Sequence, residues 1–376
     1  MPEQLKIAVD IRDLRIARTG ARTYLKELIT EFKALDNDSI HFFFYDTGIP
    51  VYTGRNRILK LIEHIRFFLW KQIQLPIKAA LDGCEIVFCT DYFVPYIHLG
   101  YRTIPVFHDA FFFEYPGHYN KLWLLLFKTF GLMAANRSYA IVTPTEYTKE
   151  RISDLSGISR KKIRVIYEGP KSLNKLEGKI GPDHQGIPEN YILHVGTMEK
   201  RKNIVRLLKA FKLLLNDHPD IKLVLIGQFS PKKDMDDREE IMKFIGENDL
   251  SEYVIFTGYV NDAKLERYYK NAMAYVFPSL NEGFGIPVLE AFRAGIPVLV
   301  AGNSCLPEVG GKAVEIFDPY DHTAIYSKLN TLISDKKRQE EMILLGKERL
   351  EQFNWKNAAN ELVKIFREAS GKKVGS

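Results

Sequence analysis

Short runs of β-branched and aromatic residues alternate along the whole chain with longer stretches whose apolar positions recur every three or four residues. This alternation predicts parallel strands with helices on both faces. In the first half the strand candidates are Ile7–Val9, His41–Tyr45, Ile86–Phe88, Pro105–Phe107, Ala140–Val142 and Arg164–Ile166. The polar, Gly- and Pro-containing segment Glu168–Asn190 then breaks the pattern, which suggests a linker at 171–190. A second alternation runs through Tyr191–Gly196, Lys222–Gly227, Tyr253–Phe256, Ala274–Phe277, Pro297–Val300 and Ala313–Ile316. Two α/β domains follow, 1–170 and 191–354, with a last helical segment beginning at Trp355.

Composition narrows the class. The 376 residues exceed one ordinary core and fit two domains. With 46% hydrophobic and 27% charged residues the chain is globular rather than disordered. A net charge of +6 suits acidic partners such as nucleotide diphosphates, anionic glycans or a lipid surface, without selecting among them. Cys84, Cys89 and Cys305 lack metal-ligand spacing, which points to a reducing compartment and no disulfide framework. A strand begins almost at the first residue, so no signal peptide is expected and the location expected is cytoplasmic. The most apolar stretch, Leu122–Ala135, is too short to span a bilayer, carries Lys128, and reads as a core helix.

The densest chemistry lies in Val276-Phe-Pro-Ser-Leu-Asn-Glu282-Gly-Phe-Gly-Ile-Pro-Val-Leu-Glu290-Ala-Phe-Arg-Ala-Gly-Ile-Pro-Val. Ala274–Phe277 reads as a buried strand, Pro278–Ile286 as a loop, and Pro287 as the first helical residue, where its missing N–H costs nothing. Glu282 then sits in the loop and Glu290 in the first helical turn, both at the end of the sheet where α/β proteins bind ligands. A first-turn glutamate also favours the helix dipole by itself. Gly196-Thr-Met-Glu-Lys-Arg201-Lys202-Asn203 likewise ends a strand and opens the helix Ile204–Asn216, so Arg201 and Lys202 make an anion site beside a helix start.

The Glu282–Glu290 run resembles the E-x7-E signature of retaining glycosyltransferases of the GT-B fold, glycosyltransferase family 4, with bacterial glycan mannosyltransferases among the members it is similar to. Ala301-Gly-Asn-Ser-Cys-Leu-Pro-Glu308-Val-Gly-Gly and Phe317-Asp-Pro-Tyr-Asp321 follow the same pattern. The resemblance implies two Rossmann-like domains facing each other across a cleft, with helix 355–376 packing back on the first domain. It implies that Lys202, joined by Arg201, binds the donor diphosphate, that Glu290 holds the ribose hydroxyls, and that Glu282 lies by the donor sugar. The backbone N–H groups of Phe284 and Gly285 would bind sugar hydroxyls, and Gly20, in a loop after the first strand, would approach the donor phosphate. Members often carry a second glycine there and an arginine directly after the later glycine; this chain has Ala21-Arg22 and Thr197 instead. His108, at the end of Pro105–Phe107, resembles the family's His-Asp pair and is expected in the active site, the catalytic set being His108, Glu282 and Lys202. Thr145-Glu146 matches a Ser-Glu position, or is a helix cap.

Two D-x-D triplets, Asp36-Asn-Asp38 and Asp234-Met-Asp236, sit in a turn and at a helix start, and neither is read as a metal site. Residues Arg55–Gln74 form a basic amphipathic pattern suited to anionic lipid. The Trp70-x-Gln72-x-x-Leu75-Pro76 segment instead resembles one packed inside the family's first domain, and the core reading is preferred. The expectation is a metal-independent, retaining hexosyltransferase without a bound cofactor. Its partners would be a nucleotide-sugar donor, a glycan or lipid-linked glycan acceptor and at most weak membrane contact, with no nucleic acid. The alternatives are a GT-B sugar-nucleotide epimerase and a non-catalytic binding protein.

Overall fold

The computed structural model describes residues 4–17, 20–54, 56–172, 186–230 and 234–372. The chain divides into two compact units, 1–168 with 354–376, and 169–353. Of the expected linker, 173–185 lie outside the described residues, as do Arg55 and 373–376.

The first unit is built from β1 (Leu5–Asp10), α1 (Gly20–Leu35), β2 (Ile40–Tyr45), α2 (Arg57–Leu69), α3 (Leu75–Leu81), β3 (Ile86–Cys89) and β4 (Arg102–Pro105). The short α4 (Phe111–Glu114), α5 (Lys121–Leu126), α6 (Leu132–Arg137), β5 (Ile141–Thr143), α7 (Glu146–Ser156) and β6 (Ile163–Val165) follow. Its four-stranded sheet is parallel, in the order β2-β1-β3-β4, and β5 pairs with β6. The expected strand Pro105–Phe107 is displaced: β4 ends at Pro105, and Val106, whose N–H still donates to Cys89 O of β3 at 2.9 Å, makes a single bridge to Val142. Phe107 N–H donates to Val142 O at 2.8 Å, so the extended chain runs between β3 and β5 just before His108.

The second unit contains β7 (Tyr191–Val195), α8 (Ile204–Asp217), β8 (Lys222–Ile226), α9 (Arg238–Glu247), β9 (Val254–Gly258), α10 (Asp262–Asn271) and β10 (Ala274–Phe277). It continues through α11 (Ile286–Ala294), β11 (Val298–Ala301), α12 (Leu306–Gly310), β12 (Val314–Phe317), α13 (His322–Ser334) and α14 (Lys336–Leu350). All six strands are parallel, in the order β12-β11-β10-β7-β8-β9. The strand order reverses between β7 and β10, and such a reversal opens a crevice beyond the carboxyl ends of the two strands. In α8, Ile204, Leu207, Leu208, Phe211 and Leu214 are all fully buried, the single stripe that helical periodicity requires.

The last helix, α15 (Trp355–Ser370), starts at Asn354, whose side chain accepts from Asn357 N–H, and belongs to the first unit. Ala359, Leu362 and Phe366 join the core formed by Phe32, Phe42 and Phe88, and the Phe366 ring lies 5.3 Å from that of Phe88.

Two expectations about helices are corrected. Leu122–Ala135 is not one core helix: a wide π turn, Phe127–Gly131, separates α5 from α6, and Leu125, Phe130 and Met133 are exposed. The core reading of the basic amphipathic segment also fails for α2, in which Glu63 is the only buried side chain. Arg12, itself buried, draws the Glu63 carboxylate inward to 2.7 Å, so the polar side of α2 faces in. The apolar period locates the helix but does not determine which side it buries. Beyond a second π turn (Trp70–Gln74), Leu75 and Pro76 are buried as expected, as is Trp70 within it.

Candidate active site

Lys202 follows β7 and Glu282 follows β10, so they flank the reversal in the second sheet. A 3-10 turn, Lys200–Lys202, ends at Asn203, a non-glycine residue held at φ 60°. The Asn203 amide secures that conformation by donating to Pro278 O (3.1 Å) and Pro319 O (2.8 Å), which ties the basic turn to the glutamate loop. The two cations beside it do not stand free at the start of α8. Lys202 Nζ donates to Glu282 Oε1 at 2.6 Å, and Arg201 Nη1 to the same oxygen at 2.8 Å. Arg201 also meets Glu199 at 3.1 Å, so the cluster holds two cations and two carboxylates. The expected surplus of positive charge is therefore balanced by Glu282 and Glu199 together.

Burial works against both charges of the central pair. It raises the Glu282 carboxyl, yet Arg201 and Lys202 outweigh it and the net value falls to about 2. The Lys202 ammonium is drawn below its usual range by burial, with Glu282 opposing and Arg201 adding to the fall. Lys202 Nζ also lies 4.7 Å from the centre of the Phe277 ring, which favours the charged form in a dry setting. Gly196 leaves the space beside it open: a Cβ there would come within 3.3 Å of His194 Nε2 and 3.4 Å of Lys202 Cε. His194 is fully buried, and its Nδ1 lies 3.0 Å from Val276 O. With Nδ1–H as that donor, Nε2 is the bare nitrogen; burial lowers the ring to about 4 and keeps it neutral.

The loop that carries Glu282 is anchored from the next strand connection. Asn303 donates to Leu280 O (2.8 Å), Cys305 Sγ to Phe284 O (3.0 Å), and Leu280 N–H to Arg201 O (2.7 Å). Gly285 caps α11 at φ 107°, where a Cβ would meet Leu306 at 3.0 Å, so glycine is required there by the fold itself. Phe284 is buried, edge-on to Phe353. The helix begins at Ile286, with Pro287 second and Glu290 fifth, so Glu290 lies past the first turn and the helix dipole does not account for it. Its carboxylate accepts from Tyr269 OH at 2.9 Å. Burial raises its pKa, with the Tyr269 bond and Arg293 opposing.

In the first unit Gly20 is the first residue of α1. A Cβ at that position would meet nothing within 4 Å, so the fold alone does not demand glycine there. Arg18 and Thr19 of its loop lie outside the described residues. His108 is engaged on both sides: Nε2 lies 2.9 Å from Thr90 O and Nδ1 3.6 Å from Glu168. Burial lowers its pKa, but the Glu168 carboxylate outweighs burial and the net direction is upward, towards imidazolium. Thr145 Oγ1 accepts from Thr148 N–H, a helix cap.

At the carboxyl ends of β1 and β3 lies a buried ionic group that the sequence does not disclose. Lys71 bridges Asp10 (2.5 Å) and Asp91. Asp10, Cys89 and Asp91 form the one cluster among the described residues able to share a cation, with ligand atoms within 4.8 Å, and the Lys71 ammonium already serves both carboxylates. In the two D-x-D triplets, Asp36 binds His41 and Phe42 N–H, and Asp236 accepts from Arg238 N–H.

Lys71, Glu168, Asn203, Asn303 and Cys305 are not marked as site residues by sequence. The unusual Asn before an apolar helical stripe is the one available signal, since asparagine is among the few residues that tolerate positive φ.

Residues 18–170 match the family model "Glycosyltransferase Family 4" and residues 183–349 "Glycosyl transferases group 1". The chain is 27% identical over 272 residues to the O-antigen chain mannosyltransferase B of Escherichia coli, covering 71% of this chain and 70% of that one. It is 28% identical over 240 residues to the Escherichia coli serotype-specific mannosyltransferase WbdA, covering 63% of this chain but 28% of that longer protein. Among solved structures, Anabaena HepE in complex with UDP and glucose superposes with a TM-score of 0.70 at 14% identity, over 97% of this chain and 100% of that one. No helix among the described residues is long and apolar enough to cross a membrane.

Proposed function

We propose that this chain, a glycosyltransferase of the GT-B fold by its family-model matches and fold, transfers a hexose, with mannose the first candidate, from a nucleotide-diphosphate sugar to a hydroxyl of a glycan or lipid-linked glycan acceptor in surface polysaccharide synthesis. The observation that carries the reading is the meeting of Lys202, Arg201 and Glu282 at the strand-order reversal of the second sheet. Mannose and the glycan acceptor rest on the two mannosyltransferase relatives, and the nucleotide donor on the UDP-bound neighbour.

In this reading Lys202 and Arg201 stabilise the negative charge that grows on the departing diphosphate. Glu282 keeps both cations charged and aimed until the diphosphate joins them. Glu290 accepts hydrogen bonds from the ribose diol, as a carboxylate can. The bond from the anomeric carbon to the diphosphate oxygen breaks, a bond to the acceptor oxygen forms on the same face, and the acceptor proton passes to the leaving phosphate. The anomeric configuration is thereby retained. His108, with Nε2 beside Thr90 O and Nδ1 beside Glu168, positions the acceptor side of the site rather than taking the proton. In this reading no metal is required, because Lys202 and Arg201 turn from Glu282 to the diphosphate as it binds.

The test is a panel of UDP, GDP and ADP sugars with the purified chain and a lipid-linked glycan acceptor, the product linkage read by NMR. Transfer with retained configuration is expected. Isomerised donor in the absence of acceptor, or no product from any donor, overturns the proposal.

A further inference from the structure

Helix α2 is turned inside out. Its one buried side chain is a carboxylate, Glu63, while Ile58, Leu61, Ile65 and Phe68 face solvent, Ile58 with 69% of its surface exposed. Opposite it, the helix broken by the π turn Phe127–Gly131 exposes Leu125, Phe130 and Met133. Between the two runs a groove of ≈ 550 Å³ opens, lined by Leu61, Phe67, Phe68, Trp123, Leu126 and Phe130. That volume falls within the range of small-molecule sites. Both π turns border it, through Gln72 on one side and Phe130 on the other. Exposed apolar side chains gathered along one groove, rather than scattered singly, point to an interaction site.

The charge around the groove selects the occupant. Residues 57–81 and 121–137 carry seven Lys and Arg side chains besides the buried Lys71, against one carboxylate, Glu63. Glu63 is already spent on Arg12 and Arg66. Arg57 and Lys60 lie on the wall of the groove itself. A second copy of this chain, docked face to face, would set these cations against their own images. An anionic bilayer satisfies both features at once, since its headgroups meet the cations and its chains meet the apolar wall.

We infer that this face docks on an anionic membrane, with one acyl chain of a phospholipid in the groove between α2 and α5–α6 and its phosphate beside Arg57 and Lys60. The docking needs no sugar nucleotide, so it stands or falls apart from the transfer reaction.

Flotation of the whole protein with phosphatidylcholine vesicles, with and without phosphatidylglycerol, tests the charge. Binding should be about tenfold stronger to the anionic vesicles and should weaken with salt. The pair Arg57→Glu and Lys60→Glu should abolish it. The pair Leu61→Asp and Phe130→Asp should abolish it too; both residues are exposed, and circular dichroism checks that the variants fold. Vesicles with chain-brominated phosphatidylglycerol test the groove, because Trp123 lines it whereas Trp70 and Trp355 are buried elsewhere. Quenching of Trp123, lost in Trp123→Phe, is expected. Equal binding to neutral vesicles, binding without quenching, or a dimer dissolved by Phe130→Asp while vesicles stay unbound, each overturns the inference.

Discussion

Lys202 and Glu282, eighty positions apart in sequence, are joined by a 2.6 Å bond across the point where the second sheet reverses its strand order. Removing the cation alone should therefore do two things. Lys202→Ala is expected to lower kcat/KM by about two to three orders of magnitude, and Arg201→Ala by less. A double-mutant cycle on unfolding with Lys202→Met and Glu282→Gln should give a coupling on the order of 2 kcal/mol, since both side chains are largely buried. An additive cycle with unchanged kcat/KM removes Lys202 from the site.

The two glutamates should separate by role. Glu290→Gln removes a contact to the non-reacting ribose and should mainly weaken affinity for the nucleotide diphosphate. Glu282→Gln loosens the aim of both cations and should lower kcat by a larger factor than it changes that affinity. Calorimetric titration beside steady-state kinetics distinguishes them, and the opposite pattern reverses the assignment.

Activity should persist in excess EDTA, because Lys202 and Arg201 would hold the diphosphate in place of a metal ion. Complete loss, restored by Mn²⁺ or Mg²⁺, would direct attention to Asp10, Cys89 and Asp91 or to the acidic triplets.

His194 predicts a pH dependence of stability. Burial depresses its pKa from 6.5 to about 4, so the unfolded chain binds the proton more readily. Its contribution is fully present above pH 6.5 and is lost as pH falls towards about 4. The loss is on the order of 3 kcal/mol at most. Urea unfolding at several pH values should show the slope in the wild type and a shallower one in His194→Gln, whose amide keeps a donor for Val276 O. Equal slopes would show that the ring is not the source.

The parallel strands of the two units were legible, because β-branched runs between helical stripes leave few other arrangements; that β5 and β6 pair apart from the four-stranded sheet was not. Glu282, Glu290, Arg201 and Lys202 were legible as chemistry, but their pairing was not. Sequence spacing says nothing of which charges meet over eighty positions. The facing of α2 is hidden for the same reason: a periodic stripe has two sides, and a partner from β1's loop, Arg12, decides which one is buried. The strand expected at Pro105–Phe107 is centred earlier, at Arg102–Pro105, because pairing with Ile86–Cys89 sets its bounds, a choice made by tertiary pairing rather than by local preference. Gly285 shows the reverse case, a glycine whose need is set by Leu306 and could be suspected from the turn alone.

The return of α15 to the first unit has a consequence for how the chain is made. The second unit has all its strands and helices once residue 353 has left the ribosome. The first unit, although its sheet emerges earlier, still lacks Ala359, Leu362 and Phe366 against Phe32 and Phe88. The part synthesised first is thus completed last, and until Trp355–Ser370 emerges its apolar face is open to chaperones and to aggregation.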